Sequence, residues 1–292
     1  MLLSQALVNG LLLGGLYASV AIGFSLIWGV MNVINLAHGS FVLLGAYVTV
    51  VLNEVFGLDP FLALPFSAAA LFGLGFVLQQ FLINRVVDRS AFTTLIFTFG
   101  LNMLLINLLL LAFTADLRGI TMPYARISWH FGGVYVPLVR VGVFAAAVAL
   151  TAGLALFTAR TRLGAAIKAT SFDAEAAQLV GIDVRRIYAI TFAIGAGLAG
   201  AAGSLVAVAL AFSPVLGDAY TMKAFVVVVL GGLGSIPGAL AAGLVLGVAE
   251  NFASVLIDPG YRDAVSFALL LIVLVVSRRG LYGKRFYAEL KS

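Results

Sequence analysis

The chain has no cysteine, which excludes disulfide bridges, a thiol nucleophile and a thiolate-ligated metal. Charge is scarce as well. Asp, Glu, Lys and Arg make up 10% of the 292 residues, against roughly a quarter in a soluble protein. No Lys or Arg occurs from Met1 to Asn84, so the basic n-region of a cleaved signal peptide is missing and the first apolar stretch is expected to persist as a helix. There is no GxxxxGK[ST] phosphate loop: the nearest string, "GLYGKR", lacks the glycine spacing and the hydroxyl. Ser/His, paired-Asp and HExxH constellations are also missing, which argues against an intramembrane enzyme. His38 has no second His, Cys or acid at ligand spacing, so a metal site is not expected there.

Apolar residues fill the space that charge leaves. They make up 63% of the chain, with a mean hydropathy of +1.15. Runs of about 20 apolar residues, enough to cross a bilayer, recur along the whole length. They are continuous rather than alternating, and a lipid-embedded backbone must satisfy its own hydrogen bonds, so they read as helices. Spans are expected from about Ala6 to Trp28, Leu36 to Phe56, Phe61 to Ile83, Phe92 to Phe113, Leu138 to Ala159, Tyr188 to Ala211 and Ala264 to Ser277. The region 224–257 is apolar but broken by "GGLGSIPG". Its first part, Ala224–Leu230, makes a helix only ~10 Å long, about a third of the hydrocarbon core. A half-helix is therefore expected to descend, turn at Gly231–Pro237 and continue to Ile257. The expected fold is an all-α polytopic membrane bundle of about eight or nine crossings, one domain over 1–292, with one broken or re-entrant segment.

Basic residues orient it. Arg85–Arg89 holds two, Arg160–Arg186 five and the tail after Ser277 five; the alternate segments hold only Arg118, Arg126, Arg140, Lys223 and Arg262. The positive-inside rule puts the first set in the cytoplasm, the N-terminus outside and the C-terminus inside. The net charge of +5 records this orientation rather than an affinity for nucleic acid.

The segment 160–187 is the least membrane-like stretch. Thr170 or Ser171 can cap a helix there, with Asp173 and Glu175 in its first turn. Phe172, Ala176, Leu179 and Val180 form one apolar stripe, and Gly181 is placed to end it. Such a helix is too short to stand alone in water. It lies either on the membrane or its own bundle, or against a cytoplasmic partner. Intramembrane ionisable residues are few, His38 and Glu250, which is thin for an ion-coupled relay. A bundle with a docking helix and no motor implies that the motor is a separate subunit. A stand-alone transporter or channel, needing no such partner, is the alternative.

Asn32, Asn35 and His38 recur every three residues. They either line a pathway or hydrogen-bond between helices; Asn102 and Asn107 are given the second reading. Glu250 faces either the pore, where it meets an ammonium group, or a bonded anchor. Gly10/Gly14 and Gly243/Gly247 give GxxxG, and Gly195, Ala199 and Gly203 extend a small-residue stripe, all suited to close helix packing. In the loop 114–137, Trp129 and Tyr135 suit a membrane interface, and Arg118, Arg126, Tyr124 and His130 a docking protein.

Four stretches carry a family resemblance. "NLAHGSFVLLGAYV" at 35–48, "TRLGAAIKATSFDAEAAQLVGIDVRRIYAITFAIGAGLAGAAG" at 161–203, "MKAFVVVVLGGLGSIPGALAAGLVLGVAE" at 222–250 and "VSFALLLIVLVV" at 265–276 resemble the LivH-type permease subunits of ABC importers for branched-chain amino acids. One departure is Ser40, where the family often has Glu. The resemblance implies a type II-like importer permease in the bacterial plasma (inner) membrane. It implies a related second permease subunit, two cytoplasmic ATP-binding subunits that use ATP and Mg, and an extracytoplasmic substrate-binding protein. No cofactor is implied in this chain. Relatives of similar sequence move urea, amides or other amino acids. Gly164, Thr170, Asp173, Ala176, Ala177 and Gly181 match the family's ATPase-coupling motif, which adds to Phe172, Glu175, Leu179 and Val180 from the stripe. For the translocation path the candidates are Asn32, Asn35, His38, Gly231, Gly232, Gly234 and Glu250.

The charge count makes a direct prediction. Single cysteines placed at Asn9 and Arg118 should be labelled from outside intact cells by an impermeant thiol reagent, and those at Asp173 and Lys284 should not. Labelling of position 173 from outside overturns the topology.

Overall fold

The computed structural model describes residues 2–87 and 90–276. Arg89, and the basic tail after Ser277 with Lys284, lie outside the described residues. Eleven α-helices appear among them: α1 (Leu2–Met31), α2 (His38–Phe56), α3 (Pro60–Phe81), α4 (Ala91–Phe113), α5 (Leu138–Arg160), α6 (Arg162–Phe172), α7 (Ala174–Leu179), α8 (Val184–Ala209), α9 (Gly217–Gly231), α10 (Ile236–Leu256) and α11 (Arg262–Val276). Among the described residues, nine helices are long and apolar enough to cross a membrane, and α6 and α7 are not among them.

Local chemistry sets the helix starts. Asp59 accepts from the Phe61 N–H with Pro60 at the first helical position of α3, and Ser90 caps α4. Asp183 caps α8, and Ser235 caps α10 ahead of Pro237. The bundle closes around α1. In its most apolar eighteen-residue window 89% of residues are buried, against 6% in α11, which lies at the periphery.

Small residues decide which helices touch. A Cβ on Gly10 would lie 2.6 Å from the Val248 Cα, and one on Gly14 would lie 2.6 Å from the Leu244 Cα. The two GxxxG motifs therefore face each other across the antiparallel α1–α10 pair. The α8 stripe works the same way, Gly195 against α1 and Gly203 against α2.

The two ends of the bundle differ. At one, Gln5 donates to the Tyr135 carbonyl and accepts from the Tyr135 N–H, both at 2.8 Å, and Arg140 donates to Asn9 at 3.2 Å. Tyr124 donates to Asp59 at 2.6 Å; burial and then this bond push its phenol well above the ordinary range, so it stays a donor. From that end α5 runs ~35 Å to α6 and α7 at the other.

Three expectations change. The loop after α4 contains a two-stranded antiparallel hairpin, β1 (Ser128–Phe131) with β2 (Val134–Pro137). Gly132 and Gly133 both take positive φ, 53° and 83°, as a two-residue hairpin turn requires. Second, the helix before the break spans fifteen residues rather than seven. It runs on through Lys223 because that charge is neutralised inside the protein. Third, the turn after it does not stop about a third of the way across: Gly234 packs on Gly29, two residues from the end of α1 distal to the hairpin.

That turn needs glycine twice over. Gly232 and Gly234 have φ of 95° and 71°, a region that costs other residues roughly 1–2 kcal/mol, and a Cβ on Gly29 would lie 2.4 Å from the Gly234 Cα. Gly234→Leu should therefore lower the unfolding temperature in detergent and impair transport, while Gly73→Ala, where a Cβ meets nothing within 4 Å, should leave both unchanged. Equal melting and uptake for both variants would contradict this packing.

Candidate functional site

The segment between α5 and α8 is two helices, not one. Thr161 caps α6 and accepts from the Gly164 N–H at 2.9 Å. Asp173, expected in a first turn, instead takes an extended conformation and caps α7, accepting from the Ala176 N–H at 2.9 Å. An aspartate that can bond the backbone two or three residues on competes with helix continuation. Thr170 is no cap: it lies inside α6, 3% exposed, and donates to the Ala166 carbonyl. Gly181 ends the segment at φ 87°, as expected.

The two helices sort the coupling candidates. Gly164 faces the bundle, where a Cβ would lie 2.5 Å from both the Phe157 carbonyl oxygen and the Thr158 Cα. It folds α6 back against α5 rather than meeting a partner. Ala177 is likewise buried. Phe172, Leu179 and Val180 are 68%, 89% and 77% exposed, and Asp173, Glu175 and Ala176 are exposed with them. The apolar stripe thus points away from the protein's own core.

The polar candidates do not share a helix: Asn35 and His38 are buried and Asn32 is exposed. Asn32 takes the left-handed region at φ 53° and ends α1, its N–H bonded to the Trp28 carbonyl. Residues 32–37 then run back without helical structure to α2. Asn35 is buried and accepts from the Ala37 N–H at 3.1 Å. His38 is buried, its Nε2 lying 2.8 Å from the Val20 carbonyl, which can only accept, so Nε2 carries the proton. The Asn35 Nδ2 and His38 Nδ1 have no partner among the described residues. Thr98 donates to the Ile34 carbonyl and accepts from the Leu36 N–H, and Thr221 donates to the Leu36 carbonyl and accepts from the Gly39 N–H. Ser40 donates to Asn102, which donates to Asp218 at 2.8 Å. From Ser40 a carboxylate on α9 is thus reached through Asn102. Asn107 only bonds back to the Met103 carbonyl of its own helix.

Glu250 is fully buried and is an anchor rather than an open carboxylate. Tyr17 donates to its Oε2 at 2.6 Å, while Lys223 and Ser266 both donate to Oε1. Lys223 also bridges to Asp263 at 2.9 Å, donates to Ser266 and lies 5.6 Å from the Tyr17 ring centroid. One lysine so ties α1, α9, α10 and α11. Reading residue by residue missed this knot: Lys223 sat in a region read as a loop, and Tyr17 in an apolar run. Thr98, Thr221 and Asp218 were missed for the same reason, each being an isolated polar residue whose partner is distant in sequence. The only available signal was a lysine and a glutamate in neighbouring apolar spans, where each needs a counter-charge.

These features define the class: an all-α polytopic membrane protein with a buried polar centre and an exposed helical segment at one end. Comparison with known proteins takes this further. The family described as branched-chain amino acid transport system / permease component matches residues 6–274, and the chain belongs to that family. It is 34% identical to the high-affinity branched-chain amino acid transport system permease protein BraD of Pseudomonas aeruginosa, over 96% of this chain and 95% of the relative. It is 33% identical to LivH of Escherichia coli over the same shares, and 29% identical to LivM of that organism over 93% of this chain and 67% of the relative. A solved structure titled PsaBC from Streptococcus pneumoniae in complex with Fab aligns over 100% of this chain and 96% of its own, with a TM-score of 0.52 and 14% identity. At that identity the likeness concerns the fold.

The charged knot makes a quantitative prediction. Glu250→Ala takes one of two carboxylates from the half-buried Lys223 ammonium, which keeps Asp263, and leaves the buried Tyr17 hydroxyl without its acceptor; it should cost about 1–3 kcal/mol, read as a lower unfolding temperature in detergent. The double variant Glu250→Leu with Lys223→Met should recover much of the loss. A single variant as stable as the wild type would contradict the pairing.

Proposed function

We propose that the chain is the membrane-embedded permease of an ATP-driven importer for branched-chain amino acids, and that it performs no catalysis itself. It lies in the plasma membrane with the hairpin end outside and α6–α7 in the cytoplasm, and it forms half of the translocation pathway beside a related second permease. Two cytoplasmic subunits hydrolyse Mg-ATP, and an extracytoplasmic binding protein delivers substrate at the hairpin end. The observation that carries this reading is the exposed stripe Phe172, Leu179 and Val180 on α6–α7, in a chain of a permease family. The segment is held by its own bundle through Gly164 and Ala177, so apolar residues left outward on it suit a contact with another protein.

In the import cycle, closure of the ATP-binding subunits moves α6–α7, and Gly164, packed on the end of α5, transmits that movement to the membrane helices. Asp173 and Glu175 are exposed for pairing with basic groups of the ATPase. The Gly232–Gly234 turn lies at the same end, against Gly29. Asn35 and His38, each with an unpartnered buried nitrogen, supply polar groups beside the path. Importers of urea, amides or other amino acids share the same membrane architecture, so uptake assays with those substrates test the choice of cargo.

Burying a phenylalanine is worth roughly 1.5–3 kcal/mol. In the reconstituted complex, Phe172→Ala should weaken binding-protein-stimulated ATPase activity and leucine uptake together by about tenfold or more. Ala176→Arg should do worse, since it forces bulk and charge into the contact. Both permeases should still insert. Unchanged stimulation and uptake in both variants would make α6–α7 a surface element and remove the basis of the proposal.

A further inference from the structure

A second site lies at the hairpin end, where a cavity of about 200 Å³ is walled by α1, α5, α8, α10 and α11. Its polar groups are unusual. Arg140 and Arg262 both line it. Arg140 donates to Asn9 at 3.2 Å and Arg262 to Ser254 at 3.1 Å, and both acceptors are neutral. Among the described residues neither guanidinium has a carboxylate within ion-pair distance, and Asp263 and Glu250 pair with Lys223. Both side chains are exposed, so water solvates the two like charges, and an anion at the cavity mouth would bridge them. Two planar guanidinium forks match a carboxylate's two oxygens.

The other walls narrow the ligand. Leu13, Leu16 and Val143 line the cavity, and Leu16 and Val143 are buried. The α8 helix ends at Ala209 on the cavity wall. Among the described residues no N–H reaches the carbonyls of Val208 and Ala209, whereas those of Val206 and Ala207 are bonded. A helix C-terminus with unsatisfied carbonyls favours a cation. The site thus combines groups for an anion, a cation and a short aliphatic chain, in a volume below the range of larger metabolite pockets.

We propose that this cavity is a substrate-docking subsite for a zwitterionic aliphatic amino acid: carboxylate on Arg140 and Arg262, ammonium at the end of α8, side chain among Leu13, Leu16 and Val143. The inference rests on the importer reading above and locates where the cargo first meets this chain. An anionic lipid is the competing occupant. Its phosphate would also satisfy the arginines, but phosphatidylglycerol carries no ammonium for α8 and its acyl chains exceed the cavity.

The chain's lack of cysteine provides the test. Leu13→Cys is introduced, the assembled complex is purified in detergent, and the labelling rate of position 13 by a thiol reagent is read by mass spectrometry. Leucine should slow labelling. Leucinol, which has the same side chain and ammonium but no carboxylate, should not. Arg262→Gln and, separately, Arg140→Gln should raise the half-protecting leucine concentration by about tenfold, the loss of one charge-assisted contact. Equal protection by leucine and leucinol, or protection by leucine that survives both arginine variants, overturns the proposal. Protection by phosphatidylglycerol in nanodiscs without any effect of leucine also overturns it, in favour of lipid. Leucine uptake by the same preparation separates the two readings: uptake without protection rejects the subsite alone, and no leucine uptake alongside uptake of a different substrate rejects the branched-chain assignment.

Discussion

Helices in lipid gain nothing by hiding apolar side chains from one another, since acyl chains are as apolar as leucine. Their association must come from close backbone contact and from polar groups that find each other. In this chain the first source runs along α1: Gly10 and Gly14 meet Gly247 and Gly243 of α10, Gly23 meets Gly195 of α8, and Gly29 meets Gly234. Each approach is closer than any side chain allows. With α10 held against α1 and α8 against α1, α2 and α3, the positions of the loops at both ends follow. The turn at Gly232–Gly234 lands beside the end of α1, and the hairpin lands beside its start.

The second source is sparse and therefore consequential. Lys223 sits between Glu250, Asp263 and Ser266, with Tyr17 closing the other side of the carboxylate. A buried ion pair contributes little net stability over an apolar equivalent, yet strands a charge if one partner is lost. In this arrangement it fixes the face that α9 turns to α10 and α11. The connection 32–37 is held by the same logic, through the hydroxyls of Thr98 and Thr221.

The class of fold was legible in the sequence because it depends on hydropathy summed over long windows, which needs no partner information. The helices around Gly10/Gly14 and Gly243/Gly247 were legible too, since spacing alone marks a close-packing face. What escaped were features set by pairing. Lys223 reads as a loop residue until Glu250 is known to face it, and so α9 was drawn at half its length. Asn32, Asn35 and His38 share a three-residue spacing, but Asn32 ends α1 and places the next two in a non-helical connection and at the start of another helix. Asp173 looked like a first-turn anion and is instead the cap that divides α6 from α7. The Gly132–Gly133 hairpin was readable from its turn residues, but sat in a loop judged by its charge and aromatics.

The proposed importer needs separate ATP-binding subunits, docked on a segment whose apolar residues face outward. The most direct measurement is purification of the tagged chain from native membranes in mild detergent, with its associated polypeptides identified by mass and nucleotide binding. The account predicts a related permease and two ATP-binding subunits in stoichiometric amounts, lost together when Ala176 is replaced by arginine. A chain that purifies alone, and still carries out leucine uptake alone in proteoliposomes without ATP, would contradict it.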